Sequence, residues 1–229
     1  MARRTTSKKQ RTGPQGSVVV IGLGRFGRAL ALELVDEDTE VLGIDEDAEI
    51  VQALSGSLTH VVRADSTKED TLRQLGVHEF DRAVVAIGTD LEASILTASL
   101  LISFGIENVW AKAISEAHGR ILTQLGVHHV VYPEHDMGQR AAHLVRGRML
   151  DYIEFEDDFA MVKSNPPADI IGLPLSNSAV RSRYGVTVVA IKPPGDGFTY
   201  ATAETVVEAD DTIIVAGRTR ATERFSELQ

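Results

Sequence analysis

The chain contains no cysteine among its 229 residues. A disulfide framework and a thiolate zinc site are therefore excluded, and a reducing cytoplasm is the natural compartment. Long apolar runs are also missing. The longest nearly apolar stretch, residues 94–106, is interrupted by hydroxyl side chains and is shorter than the about 20 residues that cross a bilayer. We therefore expect a cytoplasmic protein without a membrane span.

Basic residues are scarce beyond the first 16 positions. The chain has 23 Lys and Arg against 33 Asp and Glu, a net charge of −10, and the remainder after residue 16 carries −15. Such a body repels nucleic acid, so we expect no nucleic-acid partner. We interpret residues 1–16 as a disordered basic tail, with contact to an anionic membrane face as the alternative. The basic residues of this tail are Arg3, Arg4, Lys8, Lys9 and Arg11.

Six short runs rich in β-branched residues recur between positions 17 and 134. They read VVVI, EVLGID, HVVRA, RAVVAI, NVWAKA and HHVVYP, and each is followed by an amphipathic segment. This alternation predicts an α/β fold with a Rossmann-type, doubly wound parallel sheet. Because the runs are continuously apolar, we expect strands that are buried on both faces.

The pattern changes after this first domain. Residues 135–149, within EHDMGQRAAHLVRGRML, predict a crossover or linker helix that leaves the sheet. From 150 to 229, short strand-like runs are separated by Pro, Gly and Asp turns. This second region is predicted to form a small α+β domain.

A glycine-rich turn follows the first predicted strand. In Gly22-x-Gly24-x-x-Gly27 the first glycine permits a tight turn, the second allows close approach of a pyrophosphate, and the third packs a helix on the strand. Asp45 follows 18 residues after Gly27, close to the position where dinucleotide sites hold an acid against the ribose. The turn therefore predicts a nucleotide site.

Catalytic residues for an oxidoreductase are missing from the second region. All seven histidines lie at or before position 143, and no Tyr-x-x-x-Lys pair occurs. The domain of about 80 residues also lacks room for a large substrate site. We therefore expect a binding protein that is not an enzyme. A nicotinamide-dependent oxidoreductase and an NAD(H)-binding redox regulator stay open as alternatives.

Several motifs, in order, resemble one known family. VIGLGRFGRALALEL, VLGIDED, VVAIGTD, VWAKA and PEHDMG resemble the N-terminal domain of RCK (regulator of K+ conductance) proteins. VRSRYGVTVVAIKPPGD and DDTIIVAGR are similar to the RCK C-terminal, or TrkA-C, domain. The resemblance covers almost everything after residue 16 and is greatest to cytosolic potassium-channel gating subunits of the KtrA and TrkA type.

This resemblance implies a function and partners. It implies a cytosolic regulatory subunit that gates a membrane K+ uptake channel when ATP and ADP exchange. It also implies a homodimer assembled into an octameric ring on a K+-translocating subunit of the KtrB or TrkH type. The protein would then associate peripherally with the inner face of the cell membrane.

The resemblance also implies the residues of the nucleotide site. Arg25 is expected at the terminal phosphate, Lys112 and His118 near the phosphates, and Glu134 at a divalent cation such as Mg2+. The other implied residues are Gly22, Gly24, Phe26 and Gly27 in the phosphate turn, Asp45 and Glu46 at the ribose with Asp47 next in sequence, Asp65 and Ser66 near the base, and Ile87, Gly88 and Thr89 along the pocket wall.

Four of these residues have simpler interpretations. Arg25 can be a solvated residue at a helix start and Lys112 a solvated charge at a strand end. His118 can be a polar residue on a helix face, and Glu134 a first-turn acid favoured by the helix dipole. A metal site among the remaining histidines is disfavoured, because no carboxylates or thiols stand at ligand spacing around them. Those histidines are His128, His129, His135 and His143.

Two further surfaces are indicated. Residues 93–104 predict a helix that is apolar on nearly every side, which requires burial in the core or in a dimer interface; the resemblance favours the interface. The resemblance also implies a site where RCK relatives hold cyclic di-AMP across a dimer, at Ile170, Ile171 and Arg181. A guanidinium between apolar walls is suited to bind a phosphate. The two isoleucines can equally be core residues.

Overall fold

The computed structural model describes residues 16–146 and 149–228. The predicted basic tail therefore lies, up to residue 15, outside the described residues. The chain divides into two compact units, an N-terminal unit that ends at Glu134 and a C-terminal unit that begins at His135.

The N-terminal unit is built on a parallel sheet of six described strands in the order β3-β2-β1-β4-β5-β6. The strands are β1 (Val18–Ile21), β2 (Val41–Asp45), β3 (His60–Arg63), β4 (Arg82–Val85), β5 (Asn108–Lys112) and β6 (His129–Val131). The helices are α1 (Arg25–Asp36), α2 (Ala48–Leu54), α3 (Glu69–Gln74), α4 (Leu91–Ser103) and α5 (Glu116–Gln124), with a 3-10 helix at Val77–Glu79. This arrangement confirms the predicted doubly wound α/β fold.

The continuous apolar strands reflect two cores, one on each face of the sheet. Val19 and Ile21 of β1 belong to the core that includes Leu101 of α4. Val18 and Val20 belong to the other core, with residues of α1 and α2. Because successive side chains point to opposite faces, both halves of the strand must be apolar.

Helix α4 is buried on one face only. Its residues Ser94, Thr97, Ala98 and Leu101 are buried, whereas Leu96 is 44% exposed. Packing within the single chain therefore covers only part of the apolar surface expected for this helix. A dimer contact at the remaining face stays a prediction.

The C-terminal unit contains an antiparallel sheet in the order β10-β9-β11-β8-β7. Its described strands are β7 (Met149–Phe155), β8 (Phe159–Ser164), β9 (Val186–Lys192), β10 (Thr199–Tyr200) and β11 (Thr212–Arg218). The helices are α6 (Pro133–Arg146), which starts before the unit boundary, then α7 (Leu175–Ser178), α8 (Val180–Tyr184) and α9 (Thr219–Ser226), with a 3-10 helix at Ala168–Ile170. The unit is the small α+β domain that was predicted.

The connection between the units differs in detail from the predicted linker helix. Helix α6 begins at Pro133 and ends at Arg146, while Met149 already pairs with Ser164 in the sheet. Met149 packs against the core of the C-terminal unit, and this burial accounts for its place in a strand. No helix in the described parts of the chain is long and apolar enough to span a bilayer.

Candidate functional site

A cleft of about 520 Å³ opens at the carboxyl ends of the parallel strands. It lies where the strand order reverses between β1 and β4, which is where open α/β sheets bind ligands. The structure brings nearly all of the implied nucleotide residues together here; Gly27 and His118 do not line the cleft. The lining residues from that set are Gly22, Gly24, Arg25, Phe26, Asp45, Glu46, Asp47, Asp65, Ser66, Ile87, Gly88, Thr89, Lys112 and Glu134.

The three glycines of the turn meet different surroundings. Gly22 has φ +88°, and a Cβ there would lie 2.9 Å from the Ile87 nitrogen. A Cβ on Gly27 would lie 1.9 Å from the Gly22 oxygen. A Cβ on Gly24 would meet no protein atom within 4 Å, so packing of the chain does not require glycine at this position. The open space beside Gly24 belongs to the cleft.

Helix α1 directs its first turn at this space. The N-cap residue is Gly24, which supplies no side-chain hydrogen bond, and no acidic residue lies in the first turn. The first backbone N–H groups of a helix lack partners within the helix and carry the positive end of its dipole. Together with the exposed Arg25 side chain, they make this end of the cleft electropositive.

Asp45 supports the turn from the end of β2. Its Oδ2 accepts the Leu23 backbone N–H at 2.6 Å, and its Oδ1 accepts the Asp47 N–H at 2.9 Å. Asp47 in turn caps α2 by accepting the Glu49 N–H at 2.8 Å. The Glu46 side chain is exposed in the cleft. The structure thus gives Asp45 a bracing role that its position in the sequence did not reveal.

The β3 end of the cleft holds Asp65 and Ser66. Asp65 Oδ1 accepts hydrogen bonds from the Thr67 Oγ1 at 2.6 Å and the Thr67 backbone N–H at 2.9 Å. The Thr67 hydroxyl, followed by its backbone N–H, holds the pKa of Asp65 below its usual value. Ser66 is buried, with its Oγ 2.8 Å from Thr97 Oγ1 of α4. Asp65 is therefore a fixed, ionised acceptor.

Lys112 and Glu134 form an ion pair across the cleft. Lys112 is 8% exposed at the end of β5, and its Nζ donates to Glu134 Oε1 at 2.5 Å. The Lys112 hydrogen bond is the main cause that lowers the pKa of Glu134, and the charge of Arg25 acts in the same direction. The structure thereby places Arg25, Lys112 and Glu134 at one end of the cleft.

His118 is separate from this group. It is 2% exposed on the inner side of α5, its Nδ1 accepts the Ile114 N–H at 3.4 Å, and its buried Nε2 has no partner among the described residues. Burial lowers its pKa. The structure does not place His118 at the expected phosphate position, because its ring packs into the N-terminal unit.

Several residues that line the cleft were missed by sequence reasoning. Ile50 of α2, Ala93 of α4 and Ile114 after β5 line it, as do Thr67 and Asp90. Ile114 is 46% exposed, and a branched apolar residue at the end of a strand was the one available signal. The others come from elements that approach the cleft only in the folded unit.

A second cleft of about 540 Å³ lies in the C-terminal unit. Arg181 of α8 lines it and donates from Nε to Thr187 Oγ1 at 3.1 Å. Ile170 is fully buried in the core, and Ile171 does not line the cleft. The cleft therefore contains Arg181 but neither of the two isoleucines. Leu175 and Val188 provide apolar walls beside Arg181.

Comparison with known families accounts for both units. The TrkA-N domain family matches residues 18–133. The TrkA-C domain family matches residues 159–229. The two matches follow the order of the units in the chain.

Two curated relatives are similar over most of their length. Ktr system potassium uptake protein C of Bacillus subtilis (strain 168) is 35% identical over 209 residues, which cover 91% of this chain and 95% of the relative. Ktr system potassium uptake protein A of the same organism is 35% identical over 207 residues, or 90% of this chain and 93% of the relative.

A solved structure shares the fold. The crystal structure of the GsuK RCK domain superposes with a TM-score of 0.65 at 17% sequence identity. The superposition covers 94% of this chain and 48% of that chain. This chain therefore spans about half the length of that structure, and the similarity supports the fold alone.

Proposed function

The chain belongs to the family of proteins that carry a TrkA-N domain followed by a TrkA-C domain, and from this premise we propose that it is a cytosolic, nucleotide-binding regulatory subunit that gates a membrane K+ uptake channel. The relatives named as Ktr potassium uptake proteins support the transport role. The cleft of the N-terminal unit supports the nucleotide.

The observation that carries the proposal is the open space at Gly24. The chain's own packing leaves this glycine free, and the first turn of α1 lacks a capping side chain. A phosphate fits both features, because it approaches the backbone closely and accepts from unpaired N–H groups. Arg25 extends the cationic surface beyond the turn.

Arg25 would contact the third phosphate, which ATP carries and ADP lacks. The backbone donors and the helix dipole suffice for two phosphates, whereas a third phosphate projects beyond the turn. A guanidinium on that phosphate adds charge-assisted hydrogen bonds of about 1.5–3 kcal/mol. Because only a ligand with different affinities for two states can shift their equilibrium, this contact lets ATP and ADP favour different conformations.

The other parts of the nucleotide have acceptors in the cleft. Both oxygens of Asp45 already accept backbone hydrogen bonds, so Glu46 is the freer acceptor for the ribose hydroxyls. The ionised Asp65 suits the exocyclic amino group of adenine, which is a donor. NAD and NADH carry the same adenosine and two phosphates, and they are the alternative ligands; the third phosphate is what distinguishes ATP.

A divalent cation such as Mg2+ is proposed at Glu134. The described residues contain no group of three His, Asp or Glu side chains that could hold a metal. A cation at Glu134 would therefore take its other ligands from phosphate oxygens, water or a neighbouring subunit. Lys112 would exchange its contact with Glu134 for a phosphate when the nucleotide binds.

The proposed assembly follows the family. We propose a homodimer that uses α4, assembled into an octameric ring on a K+-translocating subunit of the KtrB or TrkH type at the inner face of the membrane. No catalytic role is proposed. An NAD(H)-binding redox regulator and a nicotinamide-dependent oxidoreductase are the alternative functions. NADH binding in preference to ATP would favour the regulator, and NADH turnover would favour the oxidoreductase.

Cyclic di-AMP is the proposed ligand of the second cleft, with Arg181 as its phosphate contact. The apolar walls are those of Leu175 and Val188 rather than Ile170 and Ile171. Calorimetry of the folded, dimeric protein should show binding that Arg181→Ala removes. Absence of heat from the wild type at high ligand concentration excludes this ligand.

The central test compares two arginines of α1. Arg25→Ala should weaken ATP binding by about tenfold or more and leave ADP within a few-fold, as measured by calorimetry. Arg28→Ala is the matched control, because Arg28 is exposed one turn further along the helix and does not line the cleft. It should leave both affinities unchanged.

Two results would overturn the proposal. Equal losses for ATP, ADP and NADH in Arg25→Ala show that Arg25 does not sense a third phosphate. K+ flux through liposomes that hold the channel subunit and this protein must also respond differently to ATP and ADP. An identical flux with both nucleotides excludes nucleotide-dependent gating.

A further inference from the structure

A tyrosine ring lies directly on helix α5 at a glycine. Tyr132 is half-buried and packs against the core of the N-terminal unit. Gly119 is buried within α5, and a Cβ on it would overlap the Tyr132 hydroxyl and lie 2.6 Å from the ring carbon Cζ. Carbon atoms in contact lie about 3.5–4.0 Å apart. The ring therefore occupies space that any larger residue at position 119 would need.

The helix itself does not need this glycine. Gly119 lacks the positive φ that favours glycine, and its N–H donates to the Ser115 carbonyl at 2.9 Å, as in a regular α-helix. Glycine is less favourable than alanine inside a helix. The close approach of the Tyr132 ring is therefore the feature that requires glycine here.

Tyr132 lies at the corner between β6 and α6. Val131, the last residue of β6, accepts the Ala113 N–H at 2.8 Å. Pro133, the first residue of α6, has a φ that its own ring restricts. Because the backbone is constrained on both sides of Tyr132, a displaced ring would move the whole corner.

Glu134 extends from this corner into the cleft. Its side chain is 61% exposed, and in the described part of the chain Lys112 is the side chain that hydrogen-bonds to it. An exposed glutamate has considerable rotamer freedom. Since few neighbours restrict this carboxylate, its place in the cleft depends on where the corner holds its backbone.

The other side of the contact is also connected to the cleft. Ile114 lines the cleft and donates its N–H to His118 Nδ1 at 3.4 Å. Ser115 caps α5 and accepts the His118 N–H at 3.2 Å. These bonds connect the cleft wall to the part of α5 that carries Gly119. The contact of Tyr132 with Gly119 therefore joins two segments that line the cleft, one before α5 and one at the start of α6.

We propose that Tyr132 is a positioning residue for the nucleotide cleft. By packing on Gly119 it holds Glu134 where the carboxylate reaches Lys112 and, in the nucleotide complex, the divalent cation. The part that concerns the cation rests on the proposed function, whereas the part that concerns Lys112 does not. Tyr132 itself does not line the cleft, so it acts through Glu134.

Three substitutions change this contact in different ways. Gly119→Ala displaces the ring, Tyr132→Leu removes the end of the ring without adding an overlap, and Tyr132→Phe removes only the hydroxyl. The first two should misplace Glu134, whereas Tyr132→Phe should not. In the double variant Gly119→Ala/Tyr132→Leu the new methyl group fills the space that the ring leaves, so the position of Glu134 should be restored. Gly138→Ala in α6 is the matched control, because a Cβ there meets no atom within 4 Å.

A double-mutant cycle tests the position of Glu134 without a nucleotide. Urea denaturation is followed by the fluorescence of Trp110, the single tryptophan, which lies in β5. Glu134→Gln should lower the urea midpoint of the wild type, of Tyr132→Phe and of Gly138→Ala, because it removes the pair with Lys112. In Gly119→Ala and in Tyr132→Leu the decrease should be about half as large or less, and the double variant should regain it.

This cycle separates positioning from packing. A tyrosine that only filled the core would change the midpoint by itself and leave the effect of Glu134→Gln unaltered. An equal decrease in all backgrounds therefore overturns the proposal. Tyr132→Leu decides the result if Gly119→Ala does not fold.

Calorimetry with ATP tests the part that concerns the cation. In EDTA all variants should bind ATP within about threefold of the wild type. Millimolar Mg2+ should strengthen ATP binding to the wild type by about tenfold. Gly119→Ala and Tyr132→Leu should lose most of this gain, and the double variant should recover it. A full gain in both single variants overturns a role of Tyr132 at the cation.

The two experiments distinguish this inference from the proposed function. Absence of ATP binding, or of a gain from Mg2+, in the wild type rejects the proposed nucleotide or cation, and the denaturation cycle still decides whether Tyr132 positions Glu134. An equal effect of Glu134→Gln in all backgrounds, together with normal ATP binding, rejects the positioning role and leaves the nucleotide proposal standing.

Discussion

At the scale of single residues, the three glycines of the turn have different structural roles. Gly22 is needed for its positive φ, and Gly27 for the contact of α1 with the turn. Gly24 is needed for neither. Asp45 holds the turn from below through the Leu23 N–H. The chain therefore fixes the turn with its own atoms and leaves the space beside Gly24 open.

Alanine substitutions at two glycines should separate folding from binding. Gly24→Ala should leave the free energy of unfolding within about 1 kcal/mol, because its Cβ meets no protein atom and its φ of −62° suits any residue. It should weaken nucleotide binding. Gly27→Ala should destabilise the N-terminal unit by about 3 kcal/mol or more through overlap with the Gly22 carbonyl. Urea denaturation and calorimetry measure the two effects. A Gly24→Ala protein with normal nucleotide affinity argues against a phosphate at this position.

The ion pair of Lys112 and Glu134 gives a pH prediction. The pKa of Glu134 is lowered on folding from its ordinary value of 4.5, so the pair stabilises the fold fully above that pH. The contribution is lost as the pH falls through the lowered value.

Because Glu134 is 61% exposed, the effect of this ion pair on the free energy of unfolding should not exceed about 1 kcal/mol. Urea denaturation at pH 7 should show Glu134→Gln less stable than the wild type, and the difference should shrink towards pH 3. A difference that grows in acid would contradict the assignment.

At the scale of elements, α4 shows that one helix can serve a core and a surface. Leu101 is fully buried in the core of the N-terminal unit, whereas Leu96 is 44% exposed. Leu100 packs partly against the same core. A helix with little polar side chain on either face was expected to need cover all round. The structure covers only the side towards the sheet.

Substitutions on the two faces of α4 should have different outcomes. Leu96→Asp should break the α4 contact, which lowers the mass of the assembly, and leave the circular dichroism spectrum unchanged. Leu101→Asp should unfold the N-terminal unit, since it places a charge in the core. Light scattering and thermal denaturation distinguish these results. A wild-type protein that is monomeric at micromolar concentration rejects the α4 contact. Because a charge at Leu101 should unfold the unit, Leu101 is unsuitable as a probe of assembly.

At the scale of the whole molecule, the described residues form separate cores in the two units. The N-terminal unit has one core on each face of its parallel sheet. The core of the C-terminal unit lies under one face of the antiparallel sheet, where Phe225 is 1% exposed. Each unit therefore buries its own apolar side chains, and each should respond separately to a change in its core.

Truncation of Phe225 should test this separation. Phe225→Ala should destabilise the C-terminal unit by about 3–5 kcal/mol. Hydrogen exchange should then show faster exchange in residues 149–228 with little change in residues 18–133. Uniformly faster exchange along the chain would mean that the two units unfold as one.

Sequence reasoning succeeded where the determinants are local. The six strands of the N-terminal unit were predicted because each is a short β-branched run whose two faces meet different cores. The glycine turn was identified because the residues that determine its backbone conformation lie within six positions. The acidic segment that begins at the end of β2 was identified by its distance along the chain from this turn. The α+β character of the C-terminal unit followed from its turn residues.

The tertiary structure decided the rest, because it depends on residues that are distant along the chain. Lys112 and Glu134 are 22 positions apart, and the pairing of β5 with β6, which Glu134 follows, brings them together. His118 and Ile170 have unremarkable local sequences, and it is the core around each that removes them from the expected ligand sites. Strand pairing likewise decides which residues of the second sheet face its core. Apolar pattern determines which elements form, whereas long-range packing determines which of their faces remain for ligands and partners.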